Sequence, residues 1–117
     1  MRFGFFFVAL WLGLAPSAWA DFSKVDGKDA FVSAISGKTL RRMGIRLVVA
    51  PNGSIQGRAF GRDVTGDWTW QNGYFCRDLT WGKRELEYNC QWVGLNTPKI
   101  RFRSDRGTGM FADFRLE

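Results

Sequence analysis

The sequence predicts an all-β fold: a small antiparallel up-and-down β-barrel, or a strongly curved meander, of seven or eight strands with a short N-terminal helix. From about residue 44, apolar residues alternate with polar residues, which is the period of a half-buried strand. Turn-forming stretches such as Pro51-Asn52-Gly53 separate the alternating runs. So many strands in a short chain would leave exposed edges, and curling into a barrel removes them most simply.

The first twenty residues predict a cleavable secretory signal peptide. Arg2 supplies a positive start, Phe5 to Leu14 form an apolar run, and Ala18-Trp19-Ala20 has the small-x-small pattern that signal peptidase cleaves. The apolar run is shorter than the stretch of about 20 residues that a membrane-spanning helix needs, and no lipid-bearing cysteine stands at the cleavage site. We therefore expect cleavage after Ala20, no stable membrane anchor, and a periplasmic or secreted mature protein.

Cleavage leaves one domain, residues 21–117, because 97 residues are too few for two domains. This domain contains two cysteines, Cys76 and Cys90, which in an exported protein are expected to form a disulfide. Closing a loop of roughly 15 residues contributes about 3 kcal/mol in the loop-entropy model. A redox or metal site is the alternative, but the chain contains no CxxC motif and no histidine.

A short helix is expected before the strands. Asp26 or Asp29 is the expected N-cap, Phe31 and Ile35 lie four residues apart on one face, and Gly37 fits the position just past the helix end. The alternation then predicts strands near residues 44–50, 54–60, 64–70, 74–79, 86–93, 99–104 and 110–116, with residues 38–42 as a candidate eighth.

The first hairpin shows how the strand register follows from the pattern. If Pro51-Asn52-Gly53 is a three-residue bulged loop, Val49 lies opposite Ile55 and one face of the hairpin is wholly apolar. Arg46 and Arg58 then lie opposite each other on the outer face. A two-residue loop would instead mix arginines with apolar residues on the same face.

The same loop length at Gln71-Asn72-Gly73 places Trp68 opposite Cys76 on the inner face and Asp67 opposite Arg77 on the outer face. For the last hairpin, a five-residue loop gives the pairs Ile100–Phe114, Phe102–Ala112 and Arg101–Asp113. Because hairpins spread along the chain produce consistent inner and outer faces, they support one antiparallel meander.

Catalysis is poorly supported by the residue types present. There is no histidine to activate a serine, and both cysteines are expected to be oxidised. The carboxylates are scattered, and the alternation places only Asp78 on the apolar face. Gly107-Thr108-Gly109 precedes a strand instead of a helix, so it predicts a turn and not a nucleotide-binding loop. We therefore expect a non-enzymatic protein with no metal or cofactor, and we keep a small hydrolase as an alternative.

The mature protein is basic. Loss of Arg2 with the signal leaves 16 lysines and arginines against 11 acids, so the net charge falls from +6 to +5. Arg46 and Arg58 are candidate contacts for an anion, and the alternative is that they flank acids of the next strand, such as Asp67. No lysine- or arginine-rich run is present, so nucleic acid is not an expected partner.

The longest loops expected within the meander cover residues 79–85 and 94–98, and the first of them carries a tryptophan beside two cations. Trp81, Lys83 and Arg84 are candidate contacts with a partner protein or a membrane, because an exposed tryptophan flanked by cations suits such surfaces. The alternative is that Trp81 folds back over the barrel mouth.

The expected inner face is rich in aromatic residues, namely Trp68, Trp70, Tyr74, Tyr88, Trp92, Phe102 and Phe114. In a chain of this size, we expect these side chains to fill the core. The alternative is a pocket for an apolar ligand, as in larger ligand-carrying barrels.

The stretch GDWTWQNGYFCR at residues 66–77, followed by YNCQ at residues 88–91, carries a family resemblance. It resembles small exported proteobacterial proteins of unknown function, the domain-of-unknown-function family 995, which share a G-x-W, Asn/Asp-Gly, Cys-Arg and second-Cys pattern. The resemblance covers about residues 37–116 and implies no known chemistry. Some of these relatives carry the label dihydrodipicolinate reductase, an enzyme whose nucleotide-binding element and length this chain lacks.

A second, weaker resemblance is to small periplasmic inhibitors of serralysin-type metalloproteases, which are also disulfide-clipped barrels with a G-x-W motif. It implies inhibition of a secreted protease through the N-terminal segment, here Asp21-Phe22-Ser23. The residues themselves favour a different function: a monomeric exported β-barrel protein that binds an envelope protein or an anionic ligand.

Overall fold

Eight consecutive antiparallel strands close into a β-barrel in residues 21–117, the part of the chain that this computed structural model describes. The expected signal peptide, residues 1–20, lies outside the described residues. The elements in chain order are β1 (Ser23–Lys24), α1 (Lys28–Ile35), β2 (Leu40–Arg42), β3 (Ile45–Val49), β4 (Ser54–Ala59), β5 (Arg62–Gln71), β6 (Tyr74–Trp81), β7 (Arg84–Asn96), β8 (Lys99–Arg103), the short turn α2 (Ser104–Gly107) and β9 (Phe111–Leu116).

Strands β2 to β9 each pair with the next strand, and β9 returns to pair with β2 through Leu40–Leu116 and Arg41–Arg115. Strand β1 lies outside the barrel against β7. The predicted antiparallel barrel is therefore confirmed, and the candidate strand at residues 38–42 is present as β2.

The registers predicted for the first and last hairpins are confirmed. Val49 pairs with Ile55 and Arg46 pairs with Arg58. Gly53 has a φ of 103°, a left-handed conformation that a glycine adopts without steric cost and that the bulged loop requires. The last hairpin has the pairs Ile100–Phe114, Phe102–Ala112 and Arg101–Asp113.

The register predicted for the middle hairpin is wrong by one residue. Strands β5 and β6 are joined by a two-residue turn, Asn72-Gly73, whose φ angles are 53° and 85°. Asn-Gly is the preferred sequence for such type I′ turns, because both residues tolerate the left-handed region. The shift places Arg77 opposite Trp68 on the inner face, and it moves Cys76 and Asp78 to the outer face.

Cys76 and Cys90 form the predicted disulfide between neighbouring strands. They are directly paired residues of β6 and β7, with Cα atoms 3.9 Å apart. The alternation places this bond on the outer face, so the expected inner position of Cys76 is wrong. A disulfide fits an oxidising compartment, where such bonds persist.

Two loops expected in the meander are tight turns instead. Strand β6 continues to Trp81, so the two-residue turn Gly82-Lys83 replaces the predicted loop at residues 79–85. Strand β7 likewise continues through most of the predicted loop at residues 94–98 and ends in the turn Thr97-Pro98. Both strands are therefore longer than the alternation of apolar residues indicates.

Helix α1 covers one end of the barrel. Its Phe31 and Ile35 are fully buried, as their spacing predicts. The predicted acidic N-cap is wrong, because Gly27 occupies the N-cap position and makes no side-chain capping bond. Asp26 lies before the helix, whereas Asp29 lies in its first turn, where a carboxylate interacts favourably with the helix dipole.

The core is an aromatic cluster between helix α1 and the barrel. The ring of Phe31 lies 5.1 Å from Trp68, 5.2 Å from Trp70, 5.1 Å from Phe75 and 6.4 Å from Phe102, measured between ring centroids. Such pairs contribute about 0.5–1.5 kcal/mol each beyond the area they bury. We call this end of the barrel the closed end, and we call the opposite end, with the turns β2–β3, β4–β5, β6–β7 and β8–β9, the open end.

Two inward-facing glycines allow the barrel to curve tightly. A Cβ atom on Gly57 would overlap the carbonyl oxygen of Arg46, and a Cβ atom on Gly66 would overlap that of Asp78. Neighbouring strands therefore approach each other here more closely than larger residues permit. The wall formed by β4 and β5 thus bends sharply without adding side chains to the interior.

Candidate functional site

The barrel contains a partly open cavity on the side away from helix α1. Its volume is about 290 Å³, close to the lower limit of ordinary ligand pockets. Three polar side chains line it: Arg77, Gln91 and Ser104. The remaining inner wall is apolar and consists of Leu40, Leu47, Val49, Ile55, Phe75, Leu79, Phe102, Ala112 and Phe114.

Packed aromatic rings form the floor of the cavity. Phe75 and Phe102 line the cavity, and their ring centroids are 5.1 Å apart. Both rings also contact Phe31 of helix α1 from the other side. The aromatic cluster therefore ends the cavity at the closed end and separates it from the helix.

Arg77 is the cation among the residues that line the cavity, at the place where β7 carries a β-bulge. Its Nη1 donates a hydrogen bond of 2.6 Å to the backbone carbonyl of Glu87, and Glu87 and Tyr88 together face Asp78 in the bulge. No carboxylate of residues 21–117 lies within 4.0 Å of the Arg77 guanidinium. Burial lowers the pKa of Arg77, against an opposing effect of the Asp78 charge. Arg77 is thus a partly desolvated cation that forms no salt bridge within residues 21–117, although the charge of Asp78 acts on it from a greater distance.

Such a cation in an apolar wall is a favourable place for an anion. A charged group taken out of water is costly unless it is paired, and an anion beside a guanidinium forms charge-assisted hydrogen bonds. Gln91 and Ser104 lie in the same wall, where Gln91 Nε2 donates to Ser104 Oγ at 3.3 Å. The arrangement can therefore hold a molecule with an apolar body and an acidic group.

Exposed apolar side chains surround the open end. Met43, Phe60 and Met110 are 91%, 66% and 86% exposed and lie at the β2–β3, β4–β5 and β8–β9 turns. In an antiparallel meander, alternate turns lie at the same end of the barrel. Met110 also lines the cavity, together with Phe111, so the cavity reaches the surface on this side. These exposed apolar side chains make the open end the candidate entrance to the cavity.

The β8–β9 loop forms part of the cavity wall and is anchored to β7. Asn89 Nδ2 donates to Asp105 Oδ1 at 2.8 Å, and the Asp105 backbone N–H donates to Asn89 Oδ1 at 2.9 Å. These bonds hold Asp105 and Arg106 in the left-handed region, with φ of 55° each. The anchor positions Ser104 and Met110 beside the cavity.

The candidate partner contacts lie at the open end. Trp81 ends β6, and its indole N–H donates to the Ala59 carbonyl at 2.8 Å. The guanidinium carbon of Arg62 lies 5.0 Å from its ring centroid. Trp81 therefore folds back onto the barrel, the second of the two predicted arrangements, while Lys83 and Arg84 are exposed at the turn.

The candidate anion contacts lie on the outer face, where Arg46 and Arg58 are directly paired. Arg58 contacts the carboxylate of Asp63 and the carbonyl of Gly61. An acid of the next strand therefore flanks Arg58, although it is Asp63 and not Asp67. Among residues 21–117, Arg46 has no carboxylate within 4.0 Å.

The aromatic residues divide between the two faces. Those on the inner side include Trp68, Trp70, Phe102 and Phe114, as predicted. The prediction is wrong for Tyr74, Tyr88 and Trp92, which the register and the bulge place on the outer side. Arg77 is the site residue that the sequence prediction missed, and the Asn72-Gly73 turn is the signal that identifies it, because that turn fixes the register.

No family model, curated protein or solved structure matches this chain. Within residues 21–117, no helix has the length and apolar character needed to cross a membrane. The same residues contain no group of three or more His, Cys, Asp or Glu side chains placed to hold a metal ion.

Proposed function

We propose that this protein is a non-enzymatic binding protein, exported to the periplasm or out of the cell, which holds a small anionic amphiphile in its barrel. The apolar part of the ligand occupies the cavity, and its acidic group lies against Arg77. The observation that carries the proposal is Arg77, which lines an otherwise largely apolar wall and whose guanidinium has no carboxylate of residues 21–117 within 4.0 Å.

The cavity volume indicates the size of the ligand. About 290 Å³ accommodates one medium-length acyl chain or a small aromatic acid rather than a lipid with two chains. Apolar contact contributes about 25 cal/mol for each Å² removed from water, and a hydrogen bond to a charged group contributes about 1.5–3 kcal/mol. The wall therefore provides affinity, and Arg77 provides the preference for an acid.

Export is supported by two independent features. The first is the signal-peptide pattern that ends at Ala20. The second is the Cys76–Cys90 disulfide, a type of bond that persists in oxidising compartments. Both fit a protein that meets its ligand in the envelope or outside the cell.

Protease inhibition through the N-terminal segment receives less support from the geometry. Ser23 and Lys24 pair with β7, and the Val25 N–H donates to the Val93 carbonyl at 2.9 Å. The Phe22 ring packs on the guanidinium of a β8 arginine at 4.1 Å. The N-terminal segment therefore lies along the barrel, whereas a segment that inhibits a protease must extend away from the barrel to enter the protease cleft.

The test compares decanoate with decanol, two ligands that share an apolar chain and differ in charge. We expect isothermal titration calorimetry to show tighter binding of decanoate to the purified protein. Arg77→Gln keeps a polar side chain with a hydrogen-bond donor but removes the charge. It should weaken decanoate binding about tenfold, because a charge-assisted hydrogen bond is lost, and leave decanol binding within about twofold.

Two further variants control this test. Lys28→Gln removes one exposed cation on helix α1, away from the cavity, and should leave decanoate binding unchanged. Ala112→Leu narrows the cavity and should weaken the binding of both decanoate and decanol. Equal weakening of decanoate binding by Arg77→Gln and Lys28→Gln, or no binding of either ligand to the unmodified protein, would contradict the proposal.

A further inference from the structure

Closure of the barrel aligns cations from five neighbouring strands on its outer surface. Cross-strand pairs connect, in spatial order from β8 through β9, β2 and β3 to β4, the residues Lys99, Arg115, Arg41, Arg46 and Arg58. Residues directly opposite each other share one face of a sheet. All five side chains therefore project outward as one set, which we call the basic row.

Carboxylates neutralise the basic row only in part. Glu117 contacts Arg41 at 2.9 Å and Arg115 at 3.9 Å, so one acid serves two arginines. Asp63 contacts Arg58 at the end of the basic row. The two remaining members have no carboxylate within 4.0 Å among residues 21–117. Five cations thus face two acids.

The basic row is unfavourable for stability by itself. Like charges directly opposite each other destabilise a sheet, and here four consecutive pairs are of this kind. All five residues are exposed, so their charges are available to a partner. Binding of a polyanion would relieve the repulsion along the whole row.

The shape of the surface selects the kind of polyanion. In a barrel of eight strands, the surface turns by about 45° from one strand to the next, so the basic row extends around about half of the circumference. A flat anionic surface reaches only two or three neighbouring side chains of such a row, whereas a flexible chain follows all of it. The strand backbones are about 4.8 Å apart, and their outward side chains diverge on the curved surface. A polymer of uronic acids carries one carboxylate per sugar ring along a flexible chain, so it can present carboxylates to successive side chains around this curve.

We propose that the basic row binds an acidic polysaccharide that lies across the strands, with its carboxylates against successive arginines. Bidentate pairing between guanidinium and carboxylate provides the contacts. The site is separate from the cavity, because neighbouring residues of a strand face opposite sides of the sheet. The protein could then be held on an acidic polymer through its outer face while its cavity stays free.

The test measures the fluorescence anisotropy of a labelled oligogalacturonate titrated with the purified protein at low ionic strength. The row variant is Arg41→Gln/Arg46→Gln/Arg115→Gln. The matched control is Lys28→Gln/Lys83→Gln/Arg84→Gln, which removes three exposed cations elsewhere. We expect the row variant to lose at least about tenfold in affinity and the control to lose less than about threefold, because only the former removes adjacent carboxylate contacts.

A second row variant keeps the test informative if glutamines disturb the fold. Arg41→Lys/Arg46→Lys/Arg115→Lys retains every charge and should bind more tightly than the glutamine variant, with a circular dichroism spectrum like that of the unmodified protein. Equal losses in the row variant and the control, or no binding by the unmodified protein, would overturn the proposal. So would tighter row-dependent binding to inorganic polyphosphate, duplex DNA or phosphatidylglycerol vesicles than to oligogalacturonate.

Discussion

The two ends of the barrel use apolar side chains in opposite ways. At the closed end, Phe31 is fully buried and its ring contacts four other aromatic rings. At the open end, Met43, Phe60 and Met110 are exposed, and a cavity containing Arg77 lies behind them. Under the proposed function the two ends have different roles: the closed end supplies stability, and the open end gives up stability to keep a space accessible to a ligand.

The largest expected effect is at the closed end. Phe31→Ala removes the ring that joins the helix to the barrel, and it should lower the free energy of unfolding by about 3–5 kcal/mol in urea titrations. Ala30→Ser, at an exposed position of the same helix, is the control and should change it by less than about 0.5 kcal/mol. If Phe31→Ala lowered the free energy of unfolding by less than about 1 kcal/mol, the closed end would not be the more stabilising of the two ends.

A smaller effect of opposite sign is expected in the cavity. Arg77→Met replaces an unpaired, partly desolvated cation by an apolar side chain, so the free energy of unfolding should rise by about 1 kcal/mol. The Glu87 carbonyl that loses its donor belongs to an exposed residue and can bond to water. The measurement is the urea midpoint at constant m-value. A destabilised variant would mean that Arg77 has a structural role instead of a binding role.

The smallest effect is expected at the rim of the open end. Met43→Ser replaces an almost fully exposed side chain, so the free energy of unfolding should change by less than about 0.5 kcal/mol. Guanidinium chloride titrations of the variant and the unmodified protein measure this difference directly. If Met43→Ser lowered the free energy of unfolding by more than about 1 kcal/mol, Met43 would pack against other residues at the mouth of the cavity. The open end would then contribute to stability as the closed end does.

The sequence predicted the register of a hairpin where its two faces differ in polarity. In the first hairpin, arginines alternate with aliphatic residues, so only one register gives an apolar face, and Arg46 pairs with Arg58 as expected. In the middle hairpin, aromatic residues occupy both faces, with Trp68 and Phe75 inside and Tyr74 outside. In the middle hairpin, polarity therefore did not distinguish one register from the other. The two-residue turn Asn72-Gly73 determines the register instead.

Because polarity fixes the register of only some hairpins, the Arg46–Arg58 pair could be predicted from the sequence and the cavity position of Arg77 could not. Arg46 and Arg58 pair within one local hairpin, so the alternation of polar and apolar residues predicts that they lie opposite each other. Arg77 became a cavity residue only through the register of the middle hairpin, which was predicted wrongly. The rest of the basic row depends on pairing between β2 and β9, two strands at opposite ends of the described chain, and no local pattern encodes such a contact.

The pairing of β2 with β9 also determines when the barrel can exist. Leu40 and Leu116 are partners, so closure must wait until the last strand of the meander has emerged from the ribosome or from a secretion channel. Until that moment, the earlier strands form an open ribbon with two bare edges, which can pair with other chains. Strands β2 to β8 are therefore open to wrong pairing until β9 is available, and the pairing of Leu40 with Leu116 then removes both bare edges in a single step.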